Sequence, residues 1–166
     1  MKVALCLSGQ PRFVEKAFPY IEDCLLRPNN PDVFIHTWFS PEQANKPFRV
    51  DAAWKETETN RVDPETDRKL IELYKPKRYL IEPQRKFVNS RLDVDITLNT
   101  FYEKFSRDWM ITSQHSMWYS IFMANHLMNV YRLENDVQYD YVIRCRMDAY
   151  MNRSVYCIDL SLDRIW

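Results

Sequence analysis

The chain has 166 residues with 23 Lys and Arg against 23 Asp and Glu, and 46% of it is hydrophobic. A chain of this length buries roughly 70% of the surface its unfolded form exposes, so one core needs neither disulfide nor metal; balanced charge excludes a generic nucleic-acid or membrane-surface binder, because no polyanion attracts a neutral molecule over long range. It contains one glycine where average usage of about 7% gives roughly twelve, which excludes the P-loop, the GxGxxG turn, the GxSxG elbow and the EF-hand loop.

Val3 to Leu7 is a continuous apolar run closed by a turn, the pattern of a strand buried on both faces. Between Phe13 and Leu26 the residues Phe13, Ala17, Tyr20, Ile21, Cys24 and Leu25 recur at helical spacing, with Pro19 expected to kink or interrupt that helix. Arg27-Pro28-Asn29-Asn30-Pro31 is turn chemistry, and Asp32 to Trp38 is a second buried strand. Ser40 to Asp63 is a polar excursion carrying Lys46, Arg49, Trp54 and Lys55. Such a stretch reads first as a surface loop and second as a lid over an anionic ligand. Pro64 to Tyr74 reads as a helix capped by Asp63, and Lys77 to Glu82 as a third strand. Residues 83–112 are mixed, with an amphipathic helix around Leu98 to Phe105. Ser113 is positioned to cap the most regular helix, whose stripe runs Met117, Ile121, Ala124, Met128, Tyr131 and is widened by Trp118, Phe122 and Leu127; it should end near Asn135. Tyr139 to Met151 follows as the fourth strand. Strands alternating with helices, with no repeat or linker, predict a single α/β domain over residues 1–166: three layers, a mainly parallel sheet with flanking helices.

Cys6, Cys24, Cys145 and Cys157 are far apart, with no CxxC pair and no zinc spacing, so they read as reduced thiols. The first apolar stretch is too short for a signal peptide and no later one approaches a membrane span, which makes a cytosolic compartment the default reading, the host cytoplasm if the chain is viral.

In open parallel sheets ligands bind beyond the carboxyl ends of the strands. Three strands here end in unusual polar residues: Ser8-Gly9-Gln10-Pro11-Arg12, then His36-Thr37-Trp38, then Arg146-Met147-Asp148. Alternation places Val142, Arg144, Arg146, Asp148 and Tyr150 on one face of strand four. Two guanidinium groups and a carboxylate on a buried strand need partners, and a phosphorylated ligand supplies them: Arg binds phosphate through a bidentate fork, and Asp148 could hold a divalent ion. The alternative is an internal Arg–Asp salt bridge. Ser8, Gly9, Gln10 and Arg12 offer backbone N–H groups, an amide and a guanidinium to a nucleotide, or else form a tight turn whose glycine solves a dihedral problem. His36 and Thr37 fall at the same edge, though a satisfied core histidine is the commoner role. Gln114 contacts ligand or caps its helix, whereas His115 and His126 are structural. Asp93-Val94-Asp95 is a literal DxD in poor context, which reads as a solvated loop.

In this order, Ala4-Leu5-Cys6-Leu7-Ser8-Gly9-Gln10-Pro11-Arg12, Asp32-Val33-Phe34-Ile35-His36-Thr37-Trp38, Ser113-Gln114-His115-Ser116-Met117-Trp118-Tyr119-Ser120 and Tyr139-Asp140-Tyr141-Val142-Ile143-Arg144-Cys145-Arg146-Met147-Asp148 resemble a group of glycosyltransferase-like proteins from viruses and bacteria. The resemblance implies a GT-A-like fold whose Rossmann-like half binds a nucleotide diphosphate sugar, with Asp148 matching the carboxylate that holds Mn²⁺ or Mg²⁺. Arg146 stands where the group carries a paired acid. The group also continues past this strand into an acceptor-side segment, so the chain reads either as truncated or as a minimal version whose acceptor site is absent or supplied otherwise. Asp159 and Asp163 are the late carboxylates available as catalytic base. The expected partners are a nucleotide-sugar donor and a carbohydrate or glycan acceptor, with no nucleic acid and no membrane span. The expected function is metal-assisted sugar transfer; the competing one is a catalytically silent nucleotide-sugar-binding module. A nucleotidyltransferase is disfavoured by the missing glycine-rich first loop.

Overall fold

In the computed structural model, residues 1–46, 61–85, 87 and 107–160 are described, with the side chains of 107–112 left aside. Two apolar runs form its centre: β1 (Val3–Gly9) and β2 (Asp32–Trp38) are buried almost throughout. Both faces of each strand are covered, which is why neither run alternates with polar residues. They pair in parallel, Leu5 opposite Val33 and Leu7 opposite Ile35. β3 (Arg78–Glu82) joins β2 and β4 (Tyr141–Arg146) joins β1, also in parallel, giving the order β3-β2-β1-β4.

Parallel neighbours require crossover connections, and these divide the helices between the two faces. α1 (Val14–Ile21) and α2 (Thr66–Tyr74) cover one face, where Val14, Ala17, Ile21, Leu70 and Tyr74 pack on Leu5, Leu7, Val33 and Ile35. On the other face α3 (Arg107–Glu134) places Ala124 and Met128 against Ala4, Cys6 and Phe34. The sheet grows from β1 through β2 to β3 and then, across α3, returns to the far side of β1. The three layers expected of an α/β domain with a parallel sheet and flanking helices are present.

Four details differ from the sequence reading. α3 starts at Arg107 rather than after Ser113, and its buried line is Ser116, Ser120, Ala124 and Met128 at strict four-residue spacing. Met117, Trp118 and Phe122 are exposed, because their bulk cannot fit the close approach that two serines and an alanine allow. β4 is not doubly buried: Ile143 and Cys145 lean on the α1 side while Val142, Arg144 and Arg146 are exposed, as an edge strand permits. It also stops at Arg146, where a turn with fully buried Met147 takes over from the expected longer strand. Finally, α2 begins at Thr66; Asp63 accepts from the Glu65 N–H at 2.8 Å and from the Thr66 hydroxyl through its carbonyl at 2.7 Å, so it organises the turn before the helix.

Pro19 lies inside α1 and does not end it. The helix continues through a widened π-helical turn at Glu22–Leu26 and a last turn at Arg27–Asn29, closing on left-handed Asn30. Widening frees carbonyl groups from the regular ladder, and those of Asp23 and Cys24 accept from the Ser154 hydroxyl at 3.3 Å and the Val155 N–H at 3.0 Å. The segment after β4 is thereby strapped along α1 and returns to the amino-terminal edge of the sheet, where Cys157 N–H donates to Asn29 Oδ1 at 2.8 Å. Left-handed backbone also occurs at Phe13, Asn45, Lys75 and Asp136.

Candidate functional site

At the carboxyl edge of the sheet, β1 and β4 are adjacent and the strand order reverses between them: the chain runs from β1 outward through β2 to β3, then enters β4 on the far side of β1 by way of α3 on the other face. This is where a parallel sheet leaves a crevice. β1 sends Ser8, Gly9, Gln10 and Arg12 to it, and β4 sends Arg146 and Asp148. Ser8 stands in register between His36 and Arg146, so these three form one row across the sheet.

Gly9 anchors the turn with φ of +111°, a region closed to residues with a Cβ. A Cβ built there meets nothing within 4 Å, so the dihedral angle, not crowding, demands glycine. Its N–H donates to Ser120 Oγ at 2.8 Å and its carbonyl accepts from Thr37 Oγ1 at 2.8 Å. Arg12 N–H in turn donates to the Gln10 carbonyl at 2.9 Å. Those two backbone donors are therefore committed internally, and the turn also carries the Arg12 guanidinium, which is electrostatically coupled to Asp148 and Arg146.

His36 is fully buried. Its Nε2 lies 3.0 Å from Glu82 Oε1 and its Nδ1 lies 2.8 Å from Ser120 Oγ, while Ser120 Oγ is 3.2 Å from the His36 carbonyl. Burial lowers the His36 pKa below its ordinary value, outweighing the opposing pull of Glu82. Glu82 would be raised by burial, but hydrogen bonds from His36 and Arg85 win and hold its carboxyl low. An ionised Glu82 only accepts, so the His36 proton sits on Nε2, Nδ1 accepts, and the single Ser120 proton is shared between Nδ1 and the carbonyl. Arg85 closes the group through two bonds to Glu82 Oε2 (3.1 and 2.7 Å) and lies over the Tyr119 ring. Gln10 donates to Gln84, which donates to Ser116, at 3.0 and 2.8 Å. His36 and Thr37, expected at the ligand, are both fully buried, Thr37 bonded to the Gly9 carbonyl and His36 to Ser120 of α3. Sequence reasoning missed Ser116, Ser120, Glu82 and Gln84; serines four apart on an otherwise apolar helix face were the available signal for the first two.

Arg146 and Asp148 meet in a fork: Nε donates to Oδ1 and Nη2 to Oδ2, both at 2.7 Å. The Asp148 side chain is 14% exposed and that of Arg146 67%. Burial lowers the Arg12 pKa, Asp148 opposes the shift and Arg146 adds to it, so all three charges share one neighbourhood. Among the described residues, this neighbourhood gathers two guanidinium groups and one carboxylate.

The remaining candidates lie elsewhere. Arg144 is exposed on β4 opposite Cys6, two residues short of the edge, and Gln114 is exposed on α3. Asp159, expected as base, is placed near the opposite edge of the sheet: it is exposed in a short turn, Cys157–Asp159, tied to Asn29, while Leu160 accepts from Tyr141 at the start of β4 at 2.9 Å. A six-residue strand, roughly 20 Å, separates that edge from the crevice. Asp163, the Asp93-Val94-Asp95 sequence, Arg49, Trp54, Lys55 and the helix expected near Leu98 to Phe105 lie outside the described residues; Lys46 is exposed. Among the described residues no three His, Cys, Asp or Glu side chains gather as a metal-binding group. The four cysteines are free, and burial pushes Cys145 up to about 11 and Cys6 up to about 12, which makes both poor nucleophiles at neutral pH. No helix of the described residues is long and apolar enough to cross a membrane. A groove of about 680 Å³ opens at the opposite, amino-terminal edge, but its Lys2 and Lys77 are already drawn to buried Asp32.

Comparison with protein-family models, with curated proteins and with solved structures finds no match to the chain.

Proposed function

We propose that the crevice between β1 and β4 takes the diphosphate of a nucleotide diphosphate sugar, on a Rossmann-like, GT-A-like scaffold, and that the chain transfers the sugar to a carbohydrate or glycan acceptor. The observation that carries this reading is the meeting of Arg12 with the Arg146–Asp148 pair at the point where the strand order reverses. In such a transfer the bond from the anomeric carbon to the phosphate oxygen breaks, the electron pair leaves with the diphosphate, the acceptor hydroxyl oxygen takes its place on carbon, and the hydroxyl proton passes to solvent. Arg12 and Arg146 stabilise the charge that develops on the leaving group, the electrostatic term that dominates when a phosphate departs. Asp148 is the one carboxylate described at the crevice, and one carboxylate plus diphosphate oxygens suffices for Mg²⁺ or Mn²⁺, which keep several ligands from solvent and substrate. Such an ion would neutralise the departing diphosphate.

A second reading, a nucleotide-sugar-binding module without transfer, is favoured by the position of Asp159 at the wrong edge of the sheet. Thermal shift with UDP, GDP, CDP and dTDP and their sugars, with and without Mn²⁺, tests the shared premise, because a ligand that binds only the native state raises the melting temperature. A shift with one nucleotide class whose Mn²⁺-dependent part disappears in Asp148→Ala supports the reading, and no shift with any of them rejects it. Donor hydrolysis or transfer by the purified chain then separates the enzyme from the module.

A further inference from the structure

Asp148 occupies two donors of the Arg146 fork, Nε and Nη2, each at 2.7 Å. That is the same pair of donors, in the same geometry, that a phosphate would take. The exposures say which partner can move. Asp148 is mostly covered and sits on the turn fixed by buried Met147 and by the Ala149 N–H bond to the Arg146 carbonyl at 3.3 Å, whereas the Arg146 side chain is two-thirds exposed. Arg146 can swing outward while Asp148 stays.

We propose that Asp148 is a built-in stand-in for the ligand's phosphate: the crevice is closed by its own carboxylate, and opens when a phosphate-bearing ligand takes Arg146 and a divalent cation takes Asp148. The inference rests on the reading of the crevice as a diphosphate site and adds how it is gated. One internal ion pair is exchanged for two external ones, so the anion frees the carboxylate for the cation and the cation frees the guanidinium for the anion. Each ligand alone must break the pair without compensation for the partner left behind. By linkage the effect is reciprocal: whatever factor the cation adds to phosphate affinity, phosphate adds to cation affinity.

The test uses inorganic pyrophosphate and Mn²⁺ separately, on wild type, Asp148→Asn and Arg146→Gln, with melting temperatures confirming that all three fold. Calorimetric titration with pyrophosphate in the absence of divalent cation should show Asp148→Asn binding about fivefold tighter than wild type, a difference of about 1 kcal/mol, and Arg146→Gln binding more weakly. Electron paramagnetic resonance with Mn²⁺ alone should show Arg146→Gln binding about fivefold tighter than wild type, with the gain lost in the double variant. Asp148→Asn that binds pyrophosphate no tighter than wild type, or Arg146→Gln that binds Mn²⁺ no tighter, overturns the exchange. Should both gains appear while no nucleotide diphosphate binds better than pyrophosphate, the gate stands and the nucleotide-sugar reading falls.

Discussion

Gly9 is the residue whose role the sequence exposed most directly, because one glycine in 166 residues must answer a specific demand. The structure identifies that demand as φ of +111° in an uncrowded turn. Gly9→Ala should therefore cost about 1–2 kcal/mol by backbone strain alone, measurable by urea unfolding, and should weaken any ligand held by Arg12 through displacement of the turn. His36 predicts a pH dependence. Its folded pKa lies below the ordinary value near 6.5, so the unfolded chain takes up the proton first. Its contribution is complete above pH about 6.5 and is lost as pH falls through the folded pKa, by at most about 1.4 kcal/mol per pH unit for one proton. Glu82 has the same sign at lower pH, because its carboxyl is also held below its ordinary value. Stability measured from pH 7.5 to 5 should therefore fall, and His36→Gln should flatten the slope over that interval. The pairing of Arg146 with Asp148 was legible as an alternative but not as geometry. Strict alternation carries Asp148 along a strand, and only the turn at Met147 folds it back onto a residue two positions away.

At the scale of elements, the order of strands and helices was readable because their hydrophobic periods differ, while the boundaries were governed by contacts distant in sequence. The serines at 116 and 120 look like surface residues until the fold gives them partners: Ser120 meets the His36 ring and the Gly9 N–H, and Ser116 accepts from the Gln84 amide. Pro19 was expected to disrupt its helix, yet the chain absorbs it upstream of a π turn whose freed carbonyls hold the strap after β4. Asn29 is the buckle: its amide donates to the carbonyls of Leu25 at 3.0 Å and Val155 at 2.6 Å, and its oxygen accepts from Cys157 N–H. Asn29→Ala removes three bonds at about 1 kcal/mol each, so a loss of about 2–3 kcal/mol is expected. Amide exchange at Cys157 should accelerate more than at Leu5 or Ile35, which would mark local release of the strap rather than general destabilisation.

For the molecule as a whole, alternation of strands and helices announced a parallel sheet, but neither strand order nor the half-exposed state of β4 could be read from one sequence. Both depend on which connection crosses which face. β1 pairs with β2 and also with β4, and the second pairing closes a span of more than a hundred residues, Val3 with Tyr141. Closing so long a span has a large entropic cost before any contact rewards it. β4 should therefore dock late. Ile143→Ala, which removes a half-buried side chain packed on the Leu5 and Leu7 core, should cost about 2 kcal/mol. Nearly all of that should appear as faster unfolding with little change in the folding rate. A variant that slows folding in proportion would place β4 in the nucleus instead.

The left-handed backbone at Phe13, Asn30, Asn45, Lys75 and Asp136 has its counterpart in the denatured ensemble. Where another chain would place glycine, this one accepts strain of about 1 kcal/mol or more at each such residue. Roughly eleven fewer glycines than average leave the denatured chain with less freedom to lose, about 4–11 kcal/mol at about 0.4–1 kcal/mol apiece. The two effects have opposite signs, and the scarcity of glycine narrows the range of shapes the chain explores before it folds.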